Sequence, residues 1–193
     1  FFFLAGATRK VVIPSSVTSL ADQAFYYADV EEVEFAADSA VDFTSSYGAF
    51  MYCSSLRRVI LPENITTVSE GTFYECTSLE EVKNTEHVTY FGYNSFYDCK
   101  NLREIDVSSA VVIADLAFAY CESLEEVRLG AAATSISLNG DTAFVGCKSL
   151  RTVTVAPSNR YYMTVDNVLY NKEGSLLYLY PAGRTDKTFI VPD

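Results

Sequence analysis

Residues 53–76 read CSSLRRVILPENITTVSEGTFYEC, and variants of this stretch recur along most of the chain. The most regular mark of the repeat is a Phe that returns every 22 to 26 residues. We number the units one to seven by these residues, which are Phe2, Phe25, Phe50, Phe73, Phe96, Phe118 and Phe144. A unit of this length cannot bury its apolar side alone. The sequence therefore predicts stacked units that share one continuous core.

Within each unit, a small residue stands three positions after the Phe. It is Ala in units one and two and Cys in the other five, so this single position accounts for every cysteine of the chain: Cys53, Cys76, Cys99, Cys121 and Cys147. Because Ala can pack at this position but cannot form a disulfide, and because the number of cysteines is odd, the pattern predicts a column of buried free thiols. Reduced thiols leave a cytoplasmic location open.

The segment after the Cys alternates apolar and polar residues, which predicts a strand with one buried face. The clearest copies are LRRVIL (56–61), LREIDV (102–107) and LEEVRL (124–129), and unit two is one residue short, with VEEVEF at 30–35. Stretches such as 16–20 and 64–68 are rich in β-branched residues, so they predict a second short extended segment. Phe and Cys, three positions apart, predict a 3₁₀ or helical turn between units.

The pattern C-x-x-L-x-x-V-x-L-P, followed by a V-T-x-I-like segment and A-F, resembles the BspA-like (Treponema pallidum type) leucine-rich repeats. This resemblance implies a mostly-β solenoid, a right-handed leucine-rich-repeat superhelix with a parallel sheet on its concave face. We expect a single leucine-rich-repeat domain over residues 1–193. The same resemblance implies a cell-surface or secreted protein, because family members are associated with adhesion to host matrix proteins and to other cells.

Residues 157–181 interrupt the repeat. Two strand-like runs, Val165–Tyr170 and Ser175–Tyr180, flank residues 171–174 and predict a β-hairpin module. BspA-like proteins carry a similar insert, in which Gly usually stands where this chain has Asn167. Residues 187–193 then contain FIVPD, which matches VVIPS at 11–15 and predicts the start of a further repeat. We expect a segment of a longer solenoid. The opening FFFLAGA also fits the remnant of a signal peptide, although its residues keep the repeat register.

Composition narrows the range of functions. The 14 Lys and Arg against 25 Asp and Glu give a net charge of −11, which argues against nucleic acid as a partner. No apolar run reaches the length of about 18 residues that a membrane helix needs, so we expect no membrane insertion. His87 is the only histidine, and no nucleophile, zinc or phosphate-loop motif is present in the sequence. We therefore expect no enzyme activity, no cofactor and no metal site.

The first candidate surface is the exposed face of the predicted sheet. Its leading column alternates in charge from unit to unit: Arg9, Glu31, Arg57, Glu80, Arg103, Glu125 and Arg151. Opposite charges on neighbouring strands would stabilise the register of the sheet, and they would also form a recognition face. Ile60 lies among these charges without a structural reason. Both interpretations of this face stay open.

The second candidate surface is the edge at the turns, where the residues between Phe and Cys should point outward. Most of them are aromatic: Tyr26, Tyr27, Met51, Tyr52, Tyr74, Tyr97 and Tyr120. Exposed Tyr and Met are enriched in interfaces, whereas rings lying flat would only cover the apolar edge of the stack. The sequence thus predicts a non-catalytic module that binds a protein or glycoprotein. The alternatives are a structural stalk, an intracellular scaffold and end-to-end self-association.

Overall fold

The computed structural model describes residues 9–138 and 142–191. This part of the chain contains thirteen short strands and no helix. The strands are β1 (Lys10–Ile13), β2 (Glu32–Phe35), β3 (Arg58–Ile60), β4 (Thr67–Val68), β5 (Glu81–Lys83), β6 (Tyr90–Phe91), β7 (Val112–Ile113), β8 (Glu126–Leu129), β9 (Ser135–Ile136), β10 (Thr152–Val155), β11 (Tyr162–Val165), β12 (Val168–Asn171) and β13 (Leu177–Leu179). They form a mostly-β solenoid of about six turns.

The first parallel sheet is built from the alternating segments, as predicted. Strands β1, β2, β3 and β5 pair in one register, in which Val11, Val33, Val59 and Val82 are neighbours. Strands β8 and β10 continue the same pattern further along the chain, with Val127 beside Val153. The valines point into the core and the residues between them point outward, because side chains alternate along a strand.

A second parallel sheet forms from the β-branched segments, again as predicted. Its strands β4, β6, β7 and β9 are only two residues long, and they pair in unbroken order from unit three to unit six. An isolated bridge between Ser19 and Asp42 extends the pairing toward the first units. The core lies between the two sheets and the turns, and it forms one cluster of buried apolar residues.

The first sheet is interrupted at unit five, where the predicted strand at 102–107 is absent. In units four and six the turn after the strand begins six positions beyond the Leu, at Thr85 and Gly130, but in unit five it begins one residue earlier, at Val107. Residues 102–107 keep the length and the buried positions of 124–129, so the residue that unit five lacks falls after Val107, and the chain turns too early for its strand to pair on both sides. β5 therefore pairs only with β3, and β8 pairs only with β10.

The turns that carry Phe and Cys are not helical, in contrast to the predicted 3₁₀ or helical conformation. Around each Phe from Phe25 to Phe118, the residues two before and two after have positive φ, as in Gly71 (63°) and Glu75 (53°) around Phe73. These left-handed residues turn every second N–H toward the next unit. The N–H of Phe73, for example, donates to the carbonyl of Ser95 at 2.8 Å.

Two columns of side chains fill the turn side of the core. The rings of Phe25, Phe50, Phe73, Phe96, Phe118 and Phe144 stack with centroid distances of 4.9 to 5.6 Å. Each thiol donates to the carbonyl of the Phe in the preceding unit, as Cys99 Sγ does to Phe73 at 3.1 Å. All five cysteines are free and buried, as predicted. Phe2 and Ala5 lie outside the described residues.

The hairpin module has three antiparallel strands, one more than predicted. β12 and β13 form the expected hairpin, but the predicted run Val165–Tyr170 is split by a two-residue turn at Asp166 and Asn167. Both turn residues have positive φ, 49° and 62°, which the mirror-image hairpin turn requires and which Asp and Asn tolerate. The turn occupies the place where the family pattern usually has Gly.

Asn159 and Tyr162 attach the module to unit six. The buried Asn159 side chain donates to the carbonyls of Gly130 and Ala133 at 2.8 and 2.9 Å and accepts from the Tyr162 N–H at 2.8 Å. The Tyr162 hydroxyl accepts from the N–H of Ile136, on the outer strand of the second sheet. The module therefore covers an edge that would otherwise present unpaired backbone groups.

Residues 187–191, where a further repeat strand was predicted, form no strand. Phe189 instead packs against Tyr180, with ring centroids 5.4 Å apart, and both rings face the Arg184 guanidinium. The last two residues of the predicted segment, 192 and 193, lie outside the described part of the chain.

Candidate functional site

The tyrosines of the turns form one continuous row along the edge of the solenoid, which we call the tyrosine edge. Its members are Tyr26, Tyr27, Tyr52, Tyr74, Tyr97 and Tyr120. Successive rings lie 4.7 to 5.5 Å apart between centroids and alternate between stacked and edge-on contacts. Offset stacks and edge-on pairs are the favoured geometries of aromatic rings. Five of the seven units thus contribute to one surface.

The ends of the row are its most accessible parts. Tyr27 is 65% exposed and Tyr26 43%, while Tyr120 is 39% exposed at the other end. Tyr52, Tyr74 and Tyr97 between them are half-buried. The middle rings therefore cover the edge of the stack, while the outer rings meet solvent.

Met51 was predicted to point outward on this surface, but its side chain is buried. Its side chain is only 6% exposed and lies beneath the turn, where Gly48 and Gly71 leave it room. A Cβ at Gly71 would come within 3.0 Å of the Met51 methyl group. The turn residues do not simply alternate between core and solvent, because left-handed residues change the direction of the chain on both sides of the Phe.

Burial and carboxylates raise the pKa of the central tyrosines. Desolvation is the main cause for Tyr52, Tyr74 and Tyr97, and the charge of Glu75 adds to it in each case. Glu75 stands beside Tyr74 in sequence, where units two and three have Tyr27 and Tyr52. The phenols therefore remain neutral hydrogen-bonding groups in an acidic setting.

A pocket of about 210 Å³ opens on the tyrosine edge, across the turns around Phe50, Phe73 and Phe96. Its walls are Tyr47, Met51, Tyr52, Glu70, Gly71, Tyr74 and Asn94. Sequence reasoning missed Tyr47, Glu70 and Asn94. The position three before the Phe was an available signal for Tyr47 and Glu70, since it also holds Asp22, Tyr93 and Asp115, whereas Asn94 stands two before Phe96.

The predicted charge ladder on the first sheet does not form as a row of ion pairs. Among the described residues of its leading column, Arg9 and Glu31 pair at 3.0 Å, whereas Arg57, Arg103 and Arg151 are exposed and make no ion pair. The pairs that form use the next two columns, such as Arg58 with Glu81 at 2.6 Å and Arg128 with Glu126 at 2.7 Å. Long side chains in solvent gain little from facing each other. Ile60 is half-buried between Glu34 and Lys83 in the adjoining strands.

The interruption at unit five leaves two open depressions on this face. One, of about 620 Å³, runs from Val82–Glu86 across Glu104–Ser108 to Glu126 and Arg128. The other, of about 850 Å³, has walls that include four predicted site residues, Glu80, Arg103, Glu125 and Arg151. The structure thus gathers these four around one depression, while Glu31 and Arg57 lie toward the first units.

The buried thiols are chemically quiet. Desolvation raises the pKa of Cys53 to about 11 and that of Cys147 to about 12, and it also raises the pKa of the three cysteines between them well above the ordinary value. A thiol is nucleophilic only as the thiolate, so these groups act as packing residues. Within residues 9–138 and 142–191, no three His, Cys, Asp or Glu side chains cluster as metal ligands, and His87 is exposed.

Residues 1–125 and 44–171 match the BspA type leucine-rich repeat region, for which the family model has six copies. The chain therefore belongs to the BspA-type leucine-rich repeat family. No curated protein sequence matches it significantly. Over the described residues, no helix has the length and apolar character needed to cross a bilayer.

Solved bacterial structures share the fold. A leucine rich cell surface protein of Faecalibacterium prausnitzii has a TM-score of 0.68 and 24% identity, with 97% of this chain and 58% of that one covered. A leucine-rich repeat protein of Bacteroides ovatus is 31% identical, with a TM-score of 0.65 over 75% of this chain and 36% of that one. One from Eubacterium ventriosum has a TM-score of 0.73 at 19% identity, over 95% and 49%. The chain spans less than two thirds of each.

Proposed function

We propose that this chain is a non-catalytic binding module of a cell-surface or secreted protein. It would form one repeat domain over residues 1–193, and a protein or glycoprotein would dock on its tyrosine edge. Family membership supports a binding role, and the cell-surface protein of F. prausnitzii supports the location. Host matrix glycoproteins are the first partners to test, in keeping with what the family resemblance implies.

The observation that carries the proposal is the continuous row of tyrosines with exposed ends. Tyrosine offers a large apolar area together with a polar hydroxyl, which is why it is enriched at the centre of protein interfaces. The rings are already ordered by contacts with each other. These tyrosines would therefore lose little side-chain entropy when a partner binds.

The exposed face of the first sheet is the weaker candidate. Several of its charges are already neutralised by neighbours, as in the pairs of Arg58 with Glu81 and Lys10 with Glu34. A partner would have to break these contacts or accommodate them. The unpaired Arg57, Arg103 and Arg151 make this face the natural control in a binding experiment.

A structural stalk is the second candidate function. The stacked Phe rings and the thiol contacts repeat from unit to unit and would keep a longer solenoid regular and rigid. Buried thiols of raised pKa resist oxidation wherever the protein resides. The free cysteines therefore give no support to an intracellular scaffold over a surface protein.

The test is binding of the full chain to immobilised fibronectin and fibrinogen at low and physiological salt. One variant changes Tyr26 to Ser and Tyr27 and Tyr120 to Asn, since Asn tolerates the left-handed conformation at those two sites. The other changes Arg57, Arg103 and Arg151 to Glu. We expect saturable binding that survives physiological salt, is lost in the folded tyrosine variant and persists in the arginine variant. Absence of binding, or loss only in the arginine variant, would contradict the proposal.

A further inference from the structure

We propose that the pocket on the tyrosine edge receives a basic side chain of the partner, the ammonium of Lys or the guanidinium of Arg. This inference rests on the proposed binding role of the tyrosine edge and specifies the chemistry of the partner there. The pocket lies between Tyr47, Tyr52 and Tyr74, with Glu70 and Asn94 beside them.

Aromatic rings supply three of the walls. The rings of Tyr52 and Tyr74 meet edge-on, with centroids 5.4 Å apart and planes at 77°. Tyr47, 42% exposed, stands on the other side of Gly71, where a Cβ would lie 3.6 Å from its ring. The faces of aromatic rings attract cations, and several rings around one cavity are the usual device for holding an organic ammonium group.

Two side chains of the pocket, Asn94 and Glu70, carry oxygen acceptors that are available to a donor. Asn94 Oδ1 is buried and has no hydrogen-bond partner among the described residues. A buried acceptor left in this state costs free energy, which a donor brought by a ligand would recover. The Glu70 side chain is exposed and makes no ion pair with any residue that the structure describes. Lys and Arg side chains bring several N–H donors and a positive charge, and no acceptor.

The size and the surroundings of the pocket favour the end of a side chain. Its volume of about 210 Å³ is below the range of about 300–1,000 Å³ typical of pockets for whole small molecules. Glu75 adds negative charge on the same edge, and the whole chain carries −11. Anionic and neutral apolar groups would be poorly matched to this setting.

The test is a titration of the full chain with three small probes, followed by NMR of its backbone amides. The probes are Nα-acetyl-arginine methylamide, Nα-acetyl-lysine methylamide and the neutral isostere Nα-acetyl-citrulline methylamide. We expect saturable shifts at Gly71, Tyr74 and Asn94 with at least one cationic probe, and a Kd on the order of millimolar. The two cationic arms show which head group is preferred. Equal shifts with the citrulline probe, or none with either cation, would overturn the inference.

Two variants and one control locate the site. Glu70→Gln removes the charge and keeps the shape, and we expect it to weaken the cationic probe by about tenfold. Tyr47→Leu removes one ring wall and should weaken it by about threefold to tenfold. Glu63→Gln, an exposed carboxylate outside the pocket, is the matched control and should leave the affinity unchanged. Equal effects of Glu70→Gln and Glu63→Gln would place the cation elsewhere and contradict the proposal.

The outcomes separate this inference from the proposed function. If fibronectin or fibrinogen binds through the tyrosine edge but the cationic probes do not shift the pocket amides, the inference fails and the proposed function stands. If the cationic probes bind and Glu70→Gln weakens them while neither glycoprotein binds, the pocket chemistry stands and the proposed partner class fails.

Discussion

Units two and five each lack one residue between the Phe and the end of the turn that follows the strand, and only the loss in unit five interrupts the first sheet. In unit two the missing residue lies between Phe25 and Val30, in the turn before the strand, and β2 still pairs in register with both neighbours. In unit five it lies between Val107 and Ala110, in the turn after the strand, and the first sheet is interrupted there. The turn before a strand absorbs a deletion by changing its path, whereas an early turn after the strand draws the last strand residue, Val107, out of the ladder.

The rest of unit five is undisturbed. Phe96 stacks between Phe73 and Phe118, the Cys99 thiol donates to the carbonyl of Phe73, and β7 continues the second sheet. The solenoid is therefore held together at this unit by its turns and its second sheet. The tyrosine edge runs along the turns, which are continuous, while the interrupted first sheet carries the two open depressions.

The largest expected effect tests the continuous turns. Phe96→Ala removes a fully buried ring from the middle of the stack and should lower the free energy of unfolding by about 3–5 kcal/mol. Chemical denaturation of the full chain measures it. Tyr93→Ala, an exposed ring in the same turn, should cost under about 1 kcal/mol. Similar losses in both variants would mean that the stack is not what secures unit five.

Hydrogen exchange compares the interrupted part of the first sheet with its continuous part. No backbone hydrogen bond joins residues 104–106 to unit four, whereas residues 58–60 pair with strands on both sides. Amides at 104–106 should therefore exchange on the order of 100-fold faster than those at 58–60, by local opening. Comparable protection in the two segments would show that the first sheet closes in solution.

An insertion should repair the interruption. A Thr placed between Val107 and Ser108 supplies the residue that corresponds to Thr85 and Gly130 and restores the spacing from strand to turn found in units four and six. If about three backbone hydrogen bonds form, the free energy of unfolding should rise by about 1–3 kcal/mol. The same insertion after Glu173, in the exposed hairpin loop, is the control and should not stabilise the chain. Destabilisation by the first insertion would contradict our explanation of the gap.

The smallest effect concerns the ion pairs of the first sheet. Hydrogen bonding to Arg58 holds the pKa of Glu81 below its usual 4.5, so this pair stabilises the fold above that pH and the contribution is lost as pH falls through the lower pKa of the folded state. Glu81→Gln should flatten the pH dependence of stability below pH 4.5, and only slightly, because the pair is exposed. An unchanged curve would show that solvent screens the pair completely. Glu63→Gln is the matched control.

Much of the fold could be predicted from residue spacing, and less of the candidate site. The columns of Phe, Cys and Val follow from the repeat alone, because equivalent positions of stacked units become neighbours. The sequence could not show that Arg57 and Glu80 form no ion pair with any described residue, because ion pairing depends on side-chain conformations in solvent. The burial of Met51 and the place of Asn94 in a pocket wall were not predicted, because left-handed turn residues change the direction of the chain on both sides of the Phe.

The sequence by itself determined that the units stack, which residues face the core and that the thiols remain unpaired, because all of these depend on periodicity. The spacing of 22 residues from Phe96 to Phe118 also revealed that unit five is short. Only the tertiary structure decided that the loss interrupts the first sheet, that six tyrosines form one row and that Tyr47, Glu70 and Asn94 meet in a pocket. These features arise from contacts between units, where backbone direction and hydrogen bonding across the stack set positions that no single repeat specifies.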